Sequence, residues 1–276
     1  MNFRAVITGG TQGIGRGIAE ELLLHKVSVA ICARTKEDLE NMKILHPEIV
    51  TEQIDLSDGR AAKKFAEDAL ESFDGIDALV LNAAILDLYF KNQRDMDKEQ
   101  IKIRLSQVNE LSNIILIQTV REALKRSQGT IVFMTTRFIS ADIETATALD
   151  NESVPVQEDI GNYIANKKRM GAYLNEFIKY KENSGVFVFS VIPGTVDTGM
   201  NRKVIELGTP EMRDAKIQER AQGRERDPKL VGKIVAKMAI TRKKFNPSTL
   251  EYDIAIMNGE IVEVSNAVME FEKEEH

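Results

Sequence analysis

The sequence predicts an α/β fold: a doubly wound parallel sheet of about seven strands with helices on both faces. Three observations carry this. Short apolar runs alternate with helical patterns down most of the chain, the rhythm of right-handed strand–helix–strand crossovers. Several runs, such as Val186-Phe187-Val188-Phe189, are apolar at every position, as in strands covered on both faces. A glycine-rich turn follows the first run and opens the first helix.

The elements follow in order. The first strand is Phe3–Thr8, and no basic stretch followed by an apolar one precedes it, so no signal peptide is expected. The helix Ile14–Leu24 leads to strands Val27–Cys32 and Ile49–Ile54. Asp58-Gly59 opens a helix in which Phe65, Ala69 and Phe73 recur at spacing four, while Lys63, Lys64, Glu67 and Asp68 fill the wet side. After strand Ala78–Asn82, a long helical pattern runs from Asp97 to Arg126, and Gly129 ends it. The remaining strands are Thr130–Thr135, Val186–Ile192 and Asp253–Met257, with a helix at Pro228–Ile240 packing back on the sheet. There is no internal repeat and no low-complexity linker, so residues 1–276 are expected to form a single domain.

Two stretches break the rhythm. Arg137 to Asn162 is polar and carries Asp142, Glu144, Asp150, Glu152, Glu158 and Asp159. Gly199 to Asp227 is densely charged in both signs, with Met200, Pro210 and Met212 among the charges. Both are long for loops in a compact domain, which points to function or disorder.

Composition excludes several classes. One cysteine forbids an intrachain disulfide, and Cys32 with His25, His46 and His276 has no metal-ligand spacing, so no metal is expected. Lys and Arg number 37 against 43 Asp and Glu, a net charge of −6, which disfavours nucleic-acid or anionic-membrane partners. Apolar stretches such as Ile114 to Ile117 are too short to span a bilayer. A cytoplasmic location is expected.

The first strand ends in Thr8-Gly9-Gly10-Thr11-Gln12-Gly13-Ile14-Gly15. Such a turn lets the backbone approach a pyrophosphate, and the helix behind it offers free N–H groups and a positive dipole end. The second strand ends Ala33-Arg34-Thr35, with no acid to bind a ribose 2′-hydroxyl. A guanidinium there suits a 2′-phosphate, with Arg16 placed to assist from the glycine turn. NADP(H) is therefore the expected cofactor, with NAD(H) a possible substitute.

Tyr163-Ile164-Ala165-Asn166-Lys167 places a phenol and an ammonium at i and i+4, on one helix face. A cation close to a phenol favours the phenolate, which makes a useful proton donor or acceptor. The glycine turn, Asp55-Leu56 after the third strand, Asn82-Ala83-Ala84 after the fourth and Asn109 in the long helix share an order with Tyr163-x-x-x-Lys167 and Pro193-Gly194-Thr195-Val196-Asp197-Thr198. In that order and spacing the chain resembles the short-chain dehydrogenases/reductases, whose fold is the Rossmann fold, from its first strand to about residue 198.

The resemblance implies roles. Tyr163 is the general acid/base, and Lys167 lowers its pKa and holds the nicotinamide ribose. Asn109 sits at a distortion of its helix and carries a water linking Lys167 to solvent. Cofactor contacts fall on Gly9, Thr11, Gln12, Gly13, Ile14, Gly15, Arg34, Thr35, Asp55, Leu56, Asn82, Ala83 and Ala84, and on Tyr163, Lys167, Pro193, Gly194, Val196 and Thr198. Asp55 approaches the adenine; Thr198 and the Pro193-Gly194 turn flank the nicotinamide carboxamide. The implied reaction is hydride transfer between NADP(H) and a small carbonyl or alcohol, and the implied assembly is a homodimer or homotetramer.

Two departures stand out. The family ends its fifth strand with two serines, the second bonding the substrate oxygen; Thr136 holds that place here. Its hydroxyl keeps the donor and acceptor, while its methyl reshapes the pocket. The stretch between Thr136 and Tyr163 is about twice the family's usual length, and its carboxylates either favour a neutral or cationic substrate at the mouth of the site or belong to a solvated surface loop. The segment 199–227 corresponds to the family's substrate-binding segment, which closes over the bound pair, and its Pro210 and mixed charges point to a mobile amphipathic helix. The acidic tail Glu270–His276 is either disordered or in contact with a neighbour. An epimerase or dehydratase that uses the cofactor transiently, and a non-catalytic NADP(H) sensor, remain open readings of the same residues.

Overall fold

A computed structural model of the chain describes residues 2–92, 96–136, 156–183, 185–240 and 251–252. Strands β1 (Arg4–Thr8), β2 (Ser28–Ala33), β3 (Val50–Gln53), β4 (Ala78–Leu81), β5 (Thr130–Met134), β6 (Phe187–Val191) and β7 (Glu251–Tyr252) form one sheet. Their order is β3-β2-β1-β4-β5-β6-β7, and every pairing is parallel. The first six lie within one residue of their expected ends. The strand expected at Asp253–Met257 lies outside the described residues; β7 occupies the two positions just before it.

The helices are α1 (Gly13–Leu24), α2 (Lys36–Leu45), α3 (Gly59–Phe73), α4 (Lys98–Ser106), α5 (Ser112–Ser127), α6 (Val156–Lys179), α7 (Gly199–Leu207), α8 (Pro210–Ala221) and α9 (Pro228–Ile240). Local chemistry sets their ends. Asp58 caps α3 by accepting from Arg60 N at 2.8 Å. Asp97 and Gln100 make a reciprocal capping box at the start of α4. α4 runs into α5 through a π-helical turn, Gln107–Leu111, so the long pattern is one helix with a local distortion. It ends on Gln128 in the left-handed conformation, one residue before Gly129.

Strand alternation sorts the core into two layers. Leu79, Leu81, Ile131 and Phe133 face α3 to α6, packing with Phe65, Leu105, Leu116 and Leu174. Ala5, Ile7, Val80 and Val132 face α1, α2 and α9, packing with Ile18, Met42, Val231 and Val235. α1 and α9 touch backbone to backbone: a Cβ on Gly232 would lie 2.4 Å from the carbonyl carbon of Gly17. None of the described helices is long and apolar enough to cross a membrane.

The charged stretch from Gly199, where the sequence predicts an amphipathic helix, forms two helices, α7 and α8. Threonines set their starts. Thr198 Oγ1 accepts from Asn201 N at 3.3 Å, Thr209 Oγ1 accepts from Met212 N at 3.4 Å, and Pro210 opens the second helix. α8 buries none of its residues, so there is no apolar stripe for periodicity to find. Of the polar stretch 137–162, residues 137–155 lie outside the described residues, as does the tail Glu270–His276.

Candidate active site

The sheet order reverses between β1 and β4, and the loops leaving their C-terminal ends diverge into a crevice. The glycine turn lies there. Gly9 and Gly13 adopt φ of +67° and +54°. Gly15 is fixed by space: a Cβ there would lie 2.1 Å from Gly9 O. Asn82 Nδ2 donates to Thr8 O at 3.0 Å and Gly9 O at 3.1 Å, while Thr8 Oγ1 accepts from the amides of Asn82 and Ala83, each at 3.0 Å. Asn82 and Ala83 therefore hold the turn to the end of β4. Gln12 stands at the start of α1 without a side-chain cap, and the first turn of α1 has no acid. Its leading N–H groups are thus left for a ligand, and an anion fits that position.

Arg34 is exposed at the end of β2, its carbonyl bonded by Gln53 Nε2 at 3.0 Å. Thr35 occupies the cap position of α2, and Leu56 is buried in the core. Asp55 accepts from Ser57 N at 2.9 Å and pairs with Arg104. Burial pushes its carboxyl up, but the Ser57 hydrogen bonds and the cations Arg104 and Arg34 outweigh that and hold it below the usual range. Arg16, expected to assist at the 2′-phosphate, donates to Glu20 at 2.6 Å along its own helix. Arg104 has no motif to announce it; the fold alone carries α4 to the end of β3.

At the other end of the crevice a cavity of about 340 Å³ gathers Ile14, Thr136, Tyr163, Pro193, Gly194, Val196 and Thr198. Aliphatic walls come from Leu86, Ile160, Ile192, Met200, Val204 and Met212. Lys216 lines the same cavity, and its Nζ donates to Thr195 Oγ1 at 2.7 Å and Glu219 Oε2 at 2.8 Å. Asn201 donates to Glu225 at 2.8 Å. These polar contacts tie α7 and α8 to the segments beside them.

Lys167 is buried beneath Tyr163. Its Nζ donates to Met134 O at 2.5 Å, lies 4.7 Å from the ring centre of Phe133 and 5.6 Å from that of Tyr163. Burial pushes Lys167 down to about 7, and burial, helped by Tyr89, pushes the Tyr163 phenol up. The expected lowering of the phenol by the lysine is therefore not the balance struck here. The i, i+4 spacing puts the two on one face, but the ammonium is engaged by a carbonyl, and loss of water opposes both charged forms.

Asn109 lies fully buried in the π-helical turn, at the distortion the resemblance implies. Its side chain accepts from Ile85 N at 2.8 Å and donates to Ile85 O at 2.9 Å, and its carbonyl accepts from Asn113 Nδ2 at 2.9 Å. Like Arg104, Asp87 escaped motif reading entirely. Asp87 is buried and accepts from Asn162 Nδ2 at 2.6 Å and from Tyr163 N at 3.1 Å. Its only signal in the sequence is an acid inside the apolar run Ile85-Leu86-Asp87-Leu88-Tyr89-Phe90.

Comparison with known proteins gives a consistent picture. The sequence pattern of the short chain dehydrogenase family matches residues 4–147. The uncharacterized oxidoreductase DltE of Bacillus subtilis (strain 168) is 28% identical over 207 residues, covering 73% of this chain and 75% of its own. L-rhamnose 1-dehydrogenase (NADP(+)) of Thermoplasma acidophilum is 26% identical over 218 residues, covering 76% and 78%. A short chain dehydrogenase from Burkholderia cenocepacia J2315 in complex with NADP superposes with a TM-score of 0.68 at 22% identity, covering 91% of this chain and 96% of that one. At that identity the likeness is one of fold.

Proposed function

The chain belongs to the short chain dehydrogenase family, and from that premise we propose that it is an NADPH-dependent oxidoreductase acting on a small carbonyl or alcohol, with Tyr163 as general acid/base. The observation that carries this reading is the meeting of Tyr163, Thr136 and the Pro193–Thr198 turn around one cavity that also reaches Ile14 at the start of α1.

The crevice fits a dinucleotide. The uncapped start of α1 and the turn that admits no side chain at Gly15 suit a pyrophosphate. Arg34, at a strand end Ala33-Arg34-Thr35 that carries no acid of its own, suits a 2′-phosphate. The NADP named for the Thermoplasma acidophilum relative and the Burkholderia cenocepacia structure supports the same choice. When bound, the dinucleotide supplies the hydride for reduction and takes it in oxidation.

The protein's own part is orientation and a proton. Burial keeps the Tyr163 phenol protonated at neutral pH, so Tyr163 Oη is poised to donate to a carbonyl oxygen, which favours reduction. The Thr136 hydroxyl orients that oxygen from the end of β5. Lys167, below the tyrosine, stabilises the phenolate left behind whenever it carries its proton. The aliphatic walls favour an uncharged substrate body, and α7 and α8 limit the access of water.

The test is NADPH and NADH oxidation over a panel of aldehydes and ketones, with Tyr163→Phe alongside. Wild-type turnover with NADPH and a drop of roughly 1,000-fold in the variant, at unchanged NADPH affinity, is expected. NADPH binding with no turnover on any compound would favour a sensor instead.

A further inference from the structure

We propose that Asp87 is a positioning residue for Tyr163, fixing the catalytic tyrosine through its backbone and its neighbour Asn162. The proposal rests on the reading of Tyr163 as the proton donor.

Asp87 opens a short 3-10 turn, Asp87–Phe90, between β4 and α4. It is only 7% exposed, and no Lys, Arg or His pairs with it among the described residues. Its carboxylate is bonded instead by two uncharged donors, both on α6 and adjacent in sequence: Asn162 Nδ2 at 2.6 Å and Tyr163 N at 3.1 Å. A buried carboxylate is costly unless hydrogen-bonded, so these bonds are charge-assisted and directional. Tyr163 lies well inside α6, so Asp87 is not capping that helix. Its bonds address the one stretch of α6 where the position of a phenol matters.

The base on which Asp87 stands is itself fixed. Asn109 grips Ile85 by both its N–H and its carbonyl, at 2.8 and 2.9 Å. Lys91 Nζ donates to Leu207 O at 2.8 Å, at the end of α7. Between them, Leu86 and Leu88 form an apolar cluster with Ile160 and Val204, against which Tyr163 packs. The segment 85–91 thus brackets the π-helical turn, the catalytic helix and the cavity wall. Asp87 is the point of that bracket that reaches Tyr163. Displacement of a reacting group by about 1 Å costs on the order of 100-fold in rate, so loss of this anchor should be read in kcat.

The experiment compares Asp87→Ala and Asp87→Asn by steady-state kinetics on the best carbonyl compound of the panel, with active sites counted by NADPH titration. Asp87→Asn is expected to keep kcat within about three-fold. Its amide oxygen still accepts from Tyr163 N, and the Asn162 amide turns to accept from the new NH₂. Asp87→Ala is expected to lower kcat about thirty-fold with the KM for NADPH unchanged. An alanine variant of reduced thermal stability but wild-type kcat per NADPH-binding site overturns the proposal, as does an asparagine variant as slow as alanine. If Asp87→Ala does not fold, Asn162→Ala removes one arm alone; it should lower kcat a few-fold, and wild-type kcat there overturns the proposal too. Tyr163→Phe separates the two readings. If it retains full activity, the role of Tyr163 falls and that of Asp87 with it; if it is inactive while Asp87→Ala is not, only the second falls.

Discussion

At the glycine-turn end of the crevice the working groups are backbone amides and solvent-facing charges; at the tyrosine end they are side chains taken out of water. The contrast is clearest in the two carboxylates. The side chain of Asp55 is 40% exposed and pairs with the half-exposed Arg104, where water screens the pair and its worth is small. Asp87 is buried, pairs with no cation among the described residues and holds two neutral donors. Binding of a dinucleotide calls for close backbone approach and forgiving charge contacts. Proton transfer calls for side chains fixed in a place where burial sets their proton affinity. The two ends should therefore fail in different ways.

The largest effect on cofactor affinity should come from the backbone of the glycine-turn end. Gly15→Ala drives a methyl into Gly9 O, with Asn82 Nδ2 only 2.4 Å away, so the turn must open. NADPH binding, followed by titration, should weaken more than roughly 100-fold if, as proposed, that backbone cradles the phosphates. Near wild-type affinity would show that the turn tolerates rearrangement and would blur the contrast.

A medium effect, read as stability, belongs to the buried end. Burial lowers Lys167 from 10.5 to about 7 in the folded chain. Below about pH 7 both folded and unfolded chains carry the charge, and the folded state bears the whole cost of burying it. Between the two values the unfolded chain binds more protons, so stability rises with pH. Lys167→Met should therefore be more stable than wild type at about pH 6 without cofactor, and the difference should shrink steadily as pH approaches 10. Thermal melts across that range check this; a pH-independent difference would show that Lys167 is not buried as a costly cation.

The smallest effect sharpens the exposed end. Arg34→Ala should weaken NADPH binding about ten-fold and leave NADH binding nearly unchanged, the loss of an exposed charge-assisted contact. Equal changes for both cofactors would remove the 2′-phosphate from Arg34.

Legibility in the sequence follows the same division. The glycine turn, the six strand positions and the caps at Asp58 and Asp97 are local features, so pattern and propensity reveal them. Tyr163 and Lys167 are legible by spacing, but the direction of their proton affinities is not. That direction depends on how much water the surrounding layers exclude and on Met134 offering a carbonyl to the ammonium. α8 is legible through Pro210, which opens it, and not through periodicity, since it has no buried stripe.

The sequence by itself determined the doubly wound sheet, the place of the glycine turn and the placement of Tyr163 and Lys167 on one helix face, because each depends on residues close together in the chain. Tertiary structure alone decided that Arg104 meets Asp55, that Asn109 grips Ile85 and that Asp87 reaches Tyr163. Those partners lie 49, 24 and 76 residues apart. No local pattern links them; the order of the strands and the packing of α4, α5 and α6 on one face of the sheet bring them within hydrogen-bond reach.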